Sequence, residues 1–425
     1  MAAQPVLAND PHSAPLERSA DLYCIARQPL LNQSGRLHAY ELRFRDNRAP
    51  AGCGAEPSIC ALFDDAVILG LERFTNGFPA VLACPPDALA GKLVQVLPPP
   101  LTILAIPESA EATTAFMDSC RELRSQGFRF LLDDFSGKLN PLIVLCDYVR
   151  VDFTRPGIPG REYFRQWLVP RPVSLVAKHV ETEEDYHRAV EEGFTLFQGD
   201  YLFRPALVRS RKIPSNRLFH FEILQNLYRD PVDLTRLTDL VMRDAALTYR
   251  LLRLVNSPVC AIRQEVRSIE AALIIVGLDV FRRFATLAIL SEPGSGGQRE
   301  ILRVALVRAR FCELAARILR QDPAEQYLLG MFSLLPAMLR IPMNELTPSL
   351  PLRDEVRQAL EGNINRERRL LTWIERHERA DWDACDAIVG TNLLSRERLM
   401  RCFGDAVVWA QMALRSAFQL GSDPS

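Results

Sequence analysis

Residues 129–135 read Arg129-Phe130-Leu131-Leu132-Asp133-Asp134-Phe135, an apolar run that ends in two adjacent carboxylates just before Ser136-Gly137. In a parallel α/β protein, such a run predicts a buried strand whose C-terminal end points acidic side chains into a pocket. Adjacent carboxylates repel each other unless a cation lies between them. Asp133 and Asp134 therefore raise a divalent-metal site as the first hypothesis. The alternative is that they are turn residues that cap a helix.

The first half of the chain alternates strand-like and helix-like segments. Helices are predicted at Ser58–Phe74, Ala110–Gln126 and Glu183–Glu192. Together with eight strands, this order predicts an α/β fold, a (β/α)8 barrel whose site lies at the C-terminal strand ends. Residues 21–205 fall short of the roughly 200 residues usual for that fold, so we expect trimmed helices or a partly open barrel. The predicted strands are Leu22–Leu31, Leu37–Arg45, Pro79–Cys84, Leu101–Ile106, Arg129–Phe135, Tyr148–Phe153, Ser174–Val180 and Thr195–Phe203.

After Pro214 the strand pattern ends and the rest of the chain is predicted to be all α-helical. Ser268 is the expected N-cap of a helix that Gly277 terminates. Asn256 is interpreted as a helix C-cap or a buried hydrogen-bonding hub. The predicted domains are a disordered tail (1–20), the barrel domain (21–205), a linker (206–213) and a helical domain (214–420).

The overall charge excludes some classes of partner. The chain has 51 Lys and Arg against 52 Asp and Glu, so no net charge attracts nucleic acid or an anionic membrane. No apolar run reaches the 18 residues of a membrane span. The ten cysteines are scattered and form no Cys-x-x-Cys motif, which favours reduced thiols in a cytoplasmic protein over disulfides or a zinc site.

Six short motifs in the first half, taken in order, resemble EAL domains, the cyclic di-GMP phosphodiesterases. The resemblance covers nearly all of this half. It implies two divalent metals among carboxylates at the strand ends, which activate a water for attack on the phosphodiester. The motifs are Gln28-Pro29, Tyr40-Glu41-Leu42-Arg43-Phe44-Arg45, Asp133-Asp134-Phe135, Val151-Asp152, Val180-Glu181-Thr182 and Gln198-Gly199-x-Tyr201-Leu202-Phe203.

Several positions keep the residues that the resemblance implies. Glu41 matches the Glu of the EAL motif, and Arg45 matches the Arg that contacts a ligand phosphate. Asp133 and Asp134 match the metal-bridging pair. Glu181 and Gln198 are also retained, and Arg45 and Gln198 are the candidate nucleotide contacts.

Other positions lack the implied ligands. The Asn of the third strand falls near Leu82, and the metal-binding Glu of the fourth strand falls at Ala105. The Lys of the sixth strand is Arg150, which stays charged and cannot act as a base. A further Glu is replaced by Lys178. Mg²⁺ needs about six oxygen ligands, so the sequence predicts no bound metal, no cofactor and no two-metal hydrolysis. Mg or Mn is expected only if the enzyme alternative holds.

Lys178 raises a separate hypothesis. Its ammonium group can replace the missing metal by pairing with Asp133, Asp134 or Glu41. The alternative is that Lys178 extends into solvent.

The second half resembles HDOD domains, all-helical relatives of the HD phosphohydrolases that generally lack the metal ligands. In those relatives a His-Asp pair would follow the position of Leu329-Gly330, where this chain has Met331-Phe332-Ser333. The only histidines of this half are His220 and His377, so metal hydrolysis is not expected here. The motifs are Ile213-Pro214, Asp244-Ala245-Ala246-Leu247, the run Leu251–Ser257, and Ser268-Ile269-x-x-Ala272-Leu273-x-x-Val276-Gly277.

The tandem therefore resembles the EAL–HDOD signalling proteins of bacteria, typified by YuxH-like sequences. The favoured hypothesis is a non-enzymatic signalling adaptor that acts through protein partners. The alternatives are a cyclic di-GMP phosphodiesterase with an altered metal site, and a cyclic di-GMP receptor without turnover. Analogy with EAL domains makes a homodimer one candidate assembly, and nucleic acid is not an expected partner.

Overall fold

The computed structural model describes residues 23–46, 71, 74–90, 93–138, 140–154, 173–203, 222–223, 226–227, 231–256, 266–290, 296–339, 342–350, 352–389 and 395–418. Several predictions lie outside these residues and concern the tail (1–20), the linker (206–213), most of the helix at Ser58–Phe74, and Ser257.

The first half of the chain forms a closed barrel of eight strands in sequence order. Strand β1 runs antiparallel to both of its neighbours, whereas the other neighbouring strands are parallel. Of the two expected alternatives, trimmed helices or a partly open barrel, closure excludes the second. The strands are β1 Tyr23–Asn32, β2 Leu37–Asp46, β3 Ala80–Ala83, β4 Thr102–Pro107, β5 Arg129–Asp133, β6 Tyr148–Asp152, β7 Ser174–Lys178 and β8 Leu196–Phe197.

The helices described around the barrel are short, as expected for a trimmed barrel. They are α1 Pro86–Ala90, α2 Thr114–Ser125 and α3 Glu183–Glu191. The predicted N-cap Thr182 is confirmed, because its hydroxyl accepts a 3.0 Å hydrogen bond from the Asp185 amide. The predicted strand Thr195–Phe203 was too long, because the chain leaves the sheet after Phe197 and turns into a 3₁₀ helix at Asp200–Phe203.

Each strand contributes at least one buried side chain to a single apolar layer inside the barrel. Since strand side chains alternate between the two faces, these residues identify which positions of each strand point inward. The layer consists of Leu30, Ala39, Val81, Ile103, Ala105, Leu131, Tyr148, Val176 and Leu196.

Within the described residues of the second half, all regular secondary structure is helical. Ser268 accepts a hydrogen bond from the Ala271 amide, and Gly277 has φ +75°, which interrupts α6. Both predictions are thereby confirmed. The helices are α4 Leu234–Met242, α5 Ala245–Val255, α6 Ile269–Leu290, α7 Gly296–Leu319, α8 Pro323–Phe332, α9 Leu335–Leu339, α10 Met343–Leu346, α11 Asp354–Leu360, α12 Arg369–Glu378, α13 Trp382–Val389 and α14 Arg396–Phe418.

Asn256 connects the end of α5 to the chain that leads into α6. Its side-chain amide donates to the Val266 carbonyl at 2.7 Å, and its oxygen accepts from the Val266 amide at 2.7 Å. Asn256 is thus the hydrogen-bonding C-cap that the sequence indicated, although it is exposed and not buried.

The chain divides into two compact units, and the division does not follow chain order. One unit contains the barrel strands together with Arg376–Gly404, and the other contains Leu202–Glu375 with Asp405–Ser425. The end of α12, all of α13 and the start of α14 therefore pack with the barrel. The domain limits 21–205 and 214–420 remain predictions.

Two further expectations concern cysteines and membranes. Within the described ranges, six cysteines are free thiols, and five of them are buried. None of the helices in the described part of the chain is both long and apolar enough to cross a membrane.

We predict that Gly199→Ala destabilises the barrel by about 1–3 kcal/mol. Gly199 has φ +149°, and an added Cβ would lie 2.3 Å from the backbone oxygen of Val180. The matched control is Gly404→Ala, because no atom lies within 4 Å of the Cβ it would add inside α14. Urea unfolding should show a loss only for Gly199→Ala, and equal stability of the two variants would contradict the prediction.

Candidate functional site

A ring of polar side chains lies directly above the apolar layer of the barrel. Each member lies two residues from a layer residue, after it on the parallel strands and before it on the antiparallel β1, so it points inward at the end where the parallel strands finish. Leu131 is followed in this way by Asp133 on β5, and Tyr148 by Arg150 on β6. The remaining members are Gln28, Glu41, Lys178 and Gln198.

Arg150 lies at the centre of this ring. Its Nε donates to Asp133 Oδ1 at 2.6 Å and its Nη2 donates to Asp133 Oδ2 at 2.5 Å, so the pair is bidentate. The same Nη2 donates to Glu41 Oε1 at 2.9 Å, and Nη1 donates to Gln198 Oε1 at 3.1 Å. One buried guanidinium therefore neutralises acids from two strands.

The pKa values follow from these contacts. Burial opposes ionisation of Glu41, but the Arg150 and Arg43 guanidiniums outweigh it and hold the pKa of Glu41 at about 2. Burial likewise opposes ionisation of Asp133, yet Arg150 and Lys178 keep its pKa below the usual value. Burial opposes the charge of Arg150, but its two acids raise its pKa above the usual range. All three groups are charged at neutral pH.

Gln198 connects the ring to the antiparallel first strand. Its amide nitrogen donates to Glu41 Oε2, and it also donates to Gln28 Oε1 at 2.9 Å. Its oxygen accepts from Arg150. This proposed nucleotide contact is therefore bonded on both ends to side chains of its own barrel.

Lys178 forms one of the ion pairs proposed from the sequence. Its Nζ lies 3.1 Å from Asp134 Oδ1, and its side chain is 10 % exposed. Asp134 is more open, at 41 % exposed, and has φ +50°, because the chain turns sharply out of β5. Lys178 thus neutralises the outer acid, whereas Arg150 holds the inner acid and occupies the centre that the hypothesis had given to Lys178.

The side chains at the positions expected to lack metal ligands point to different faces of the barrel wall. Val81 belongs to the interior layer, so Leu82 points out of the barrel, and the inward residue at this strand end is Ala83. Ala105 does face the interior, as a member of that layer. Leu82, Ala83 and Ala105 all lack a side-chain oxygen.

The donor set does not fit the two divalent metals that the EAL resemblance implies. Arg150 binds both oxygens of Asp133, while Arg150 and Gln198 bind the two oxygens of Glu41. Two inward positions carry only methyl groups. Octahedral Mg²⁺ coordination needs several free oxygens at one point, and within the described residues no three His, Cys, Asp or Glu side chains cluster suitably for a metal.

The last two candidate residues lie apart from the ring. Arg45 follows Glu41 on the inward face of β2 and is buried, and its Nη2 lies 2.9 Å from Asp386 Oδ2 of α13. Glu181 lies between β7 and α3, is partly buried, and directly precedes the N-cap Thr182.

Sequence reasoning missed the central role of Arg150 and the presence of Asp386. Arg150 had a usable signal, because a charge between the buried residues Val149 and Val151 must point to the other face of the strand. Asp386 had none, because its meeting with Arg45 depends on how a distant helix packs.

In the helical half, apolar residues occupy the place at which an HD metal pair would be expected. Met331 and Phe332 follow Leu329-Gly330 there, and both are buried. Burial lowers the pKa of His377 to about 3, and its ring packs against Trp382 and Phe403. His377 is therefore a neutral core residue.

We predict that Arg150→Met destabilises the protein by about 3–5 kcal/mol, because Glu41 and Asp133 would remain buried without a counter-charge. Lys178→Met should cost less, since the partner Asp134 is partly solvated. Arg121→Met, at an exposed pair with Asp118, should change stability by under about 1 kcal/mol. Chemical denaturation of the three variants tests this order, and an unchanged Arg150→Met would refute the counter-ion role.

We predict that the stabilising effect of the Glu41 charge disappears in acid. The folded pKa of Glu41 is lowered from 4.5 to about 2, so its contribution is complete above pH 4.5 and is lost as pH falls toward 2. Glu41→Gln should therefore melt below the wild type at pH 7, and the gap should close between pH 4.5 and 2. Thermal melts across this range provide the measurement, and a constant gap would contradict the assignment.

Comparison with known proteins identifies an HDOD domain over residues 213–370. The chain is 30 % identical over 400 residues to the uncharacterized protein YuxH of Bacillus subtilis strain 168, covering 91 % of this chain and 97 % of YuxH. It is also 30 % identical over 382 residues to the cyclic di-GMP phosphodiesterase CdgJ of Vibrio cholerae, covering 88 % of each chain.

Solved structures of EAL proteins align with part of this chain. The EAL enzyme Bd1971 in its cGMP-bound form aligns with 46 % of this chain and 67 % of its own, at 13 % identity and a TM-score of 0.36. The EAL domain protein from Listeria monocytogenes EGD-e aligns over 47 % and 93 %, at 18 % identity and a TM-score of 0.33. The two near-full-length relatives, together with the matched HDOD domain and the closed eight-stranded barrel, show that this chain belongs to the EAL–HDOD tandem family.

Proposed function

We propose that this protein is a bacterial signalling adaptor in the cyclic di-GMP system, in which neither half hydrolyses a substrate. Both halves serve as recognition modules. The membership of the EAL–HDOD family supports the signalling context, and the relative CdgJ carries the name of a cyclic di-GMP phosphodiesterase.

The observation that carries the proposal is the bidentate Arg150–Asp133 pair with Glu41 on the same guanidinium. The acids that would hold a catalytic metal are instead neutralised by a permanent cation of the chain itself. Arg150 keeps its proton at every accessible pH, so it can neither act as a base nor leave the site. Its charge would also repel a divalent ion placed beside it.

The surface of the helical unit supports the protein-partner part of the proposal. Five large apolar side chains on α4, α5 and α6 are exposed, and one of them, Ile274, is 82 % exposed. These three helices contact one another, and a contiguous exposed apolar patch is typical of a surface that binds another protein. The five residues are Leu234, Met242, Tyr249, Ile274 and Ile275.

We predict no turnover of cyclic di-GMP by the purified protein in Mg²⁺ or Mn²⁺. The assay uses chromatography to follow the hydrolysis product of cyclic di-GMP. CdgJ under the same conditions is the positive control. Product formed by this chain above the background rate would overturn the adaptor proposal and support the phosphodiesterase alternative.

A calorimetric titration with cyclic di-GMP in EDTA distinguishes a nucleotide receptor from an adaptor that recognises only proteins. Binding without turnover would identify a nucleotide receptor. Neither binding nor turnover leaves the adaptor that recognises only proteins.

A further inference from the structure

A segment late in the chain packs against the barrel. The HDOD match ends at residue 370, and Arg376–Gly404, which we call the returning segment, then groups with the barrel strands and not with the helical unit. The returning segment contains α13 and the beginning of α14. It brings charged side chains to the end of the barrel where β2 finishes.

The main contact of the returning segment is made with Arg45. Arg45 Nη2 lies 2.9 Å from Asp386 Oδ2, and the two side chains are only 4 % and 13 % exposed. Arg45 lies four residues beyond Glu41 on the same face of β2, about 13 Å farther toward the mouth of the barrel. An aspartate of the chain thus binds the one arginine that the EAL resemblance relates to a ligand phosphate.

Asp386 is held in the orientation that this contact needs. Arg396, at the start of α14, donates to Asp386 Oδ1 through Nε at 3.1 Å and through Nη2 at 2.7 Å. The second oxygen, Oδ2, is left to face Arg45. Two guanidinium groups therefore converge on a single carboxylate.

Two other features attach the returning segment to its place. Arg379 forms an ion pair with Asp200, in the turn that follows β8. The rings of His377, Trp382 and Phe403 pack together inside the segment. The segment therefore has its own small core and is tied to the barrel at two separate strand ends.

We propose that the returning segment is an autoinhibitory cover, in which Asp386 occupies the place of a ligand phosphate at Arg45. This inference rests on the proposed function only in treating the barrel as a recognition module. A carboxylate and a phosphodiester each present a single negative charge to the guanidinium, and a guanidinium binds both through the same planar donors. The barrel accepts a phosphodiester ligand only after Asp386 has left Arg45.

The proposal identifies the ligand class and the signal that the protein would transmit. The ligand is a phosphodiester nucleotide that competes with Asp386. Because the returning segment joins the helical unit at both of its ends, at Glu375 and at Asp405, displacing it transmits occupancy of the barrel to the two chain connections of that unit.

The test is the affinity of the full-length protein for cyclic di-GMP, measured by calorimetry in EDTA so that no metal-dependent turnover can occur. Asp386→Asn removes the competing charge and keeps the side-chain shape. We expect it to bind at least tenfold more tightly than the wild type. Asp383→Asn is the matched control, because Asp383 is an exposed residue of the same helix, and it should bind as the wild type does. The double variant Arg45→Gln/Asp386→Asn should lose the gain.

A second variant covers the case in which Asp386→Asn fails to fold. Arg379→Gln breaks the ion pair with Asp200, where Arg379 is 49 % exposed, and should also tighten binding, though by less. Hydrogen exchange of residues 382–389 should rise in either folded variant.

Unchanged affinity and unchanged exchange in a folded variant would overturn the autoinhibitory cover. Faster exchange without tighter binding would overturn the assignment of a phosphodiester ligand. Turnover by the wild type would overturn the adaptor proposal alone.

Discussion

A buried arginine inside the barrel neutralises the acids that the strands direct there. The closed sheet directs Glu41 and Asp133 into a space from which water is largely excluded, and two carboxylates in such a space are unstable without a cation. Arg150 supplies that cation from β6 and binds both acids directly. Because the cation is covalently part of a strand, the site is stable without a dissociable ion, and the ring of side chains can serve as a structural element.

The contacts of Arg150 account for the arrangement of the neighbouring side chains. Because Arg150 already neutralises the acids, the acids need no polar partner at the positions of Ala83 and Ala105. Gln198 uses both ends of its amide within the ring. Lys178 then pairs with the more exposed Asp134. Each position is consistent with the others as part of one network of hydrogen bonds and ion pairs.

The mouth of the barrel follows the same rule of charge balance at a second place. Arg45 is buried at the end of β2, and a buried guanidinium also needs a counter-charge. Asp386 provides it from a helix that follows the HDOD match in the chain. The inner ring and the outer ion pair thus use the same solution, an acid–arginine contact between elements that are remote in sequence.

The sequence by itself determined the fold class, the order of the eight strands and the acids that point into the barrel, because alternation along a strand and caps at helix ends are local properties. It also identified Thr182, Ser268, Gly277 and Asn256 in their structural roles. Closure of the barrel, the short last strand and the inward direction of Ala83 in place of Leu82 were decided by strand pairing, which a linear pattern does not record. Only the tertiary structure decided that Arg150 and not Lys178 occupies the centre, and that Asp386 meets Arg45. Both outcomes depend on distances between side chains from separate elements, and packing sets those distances.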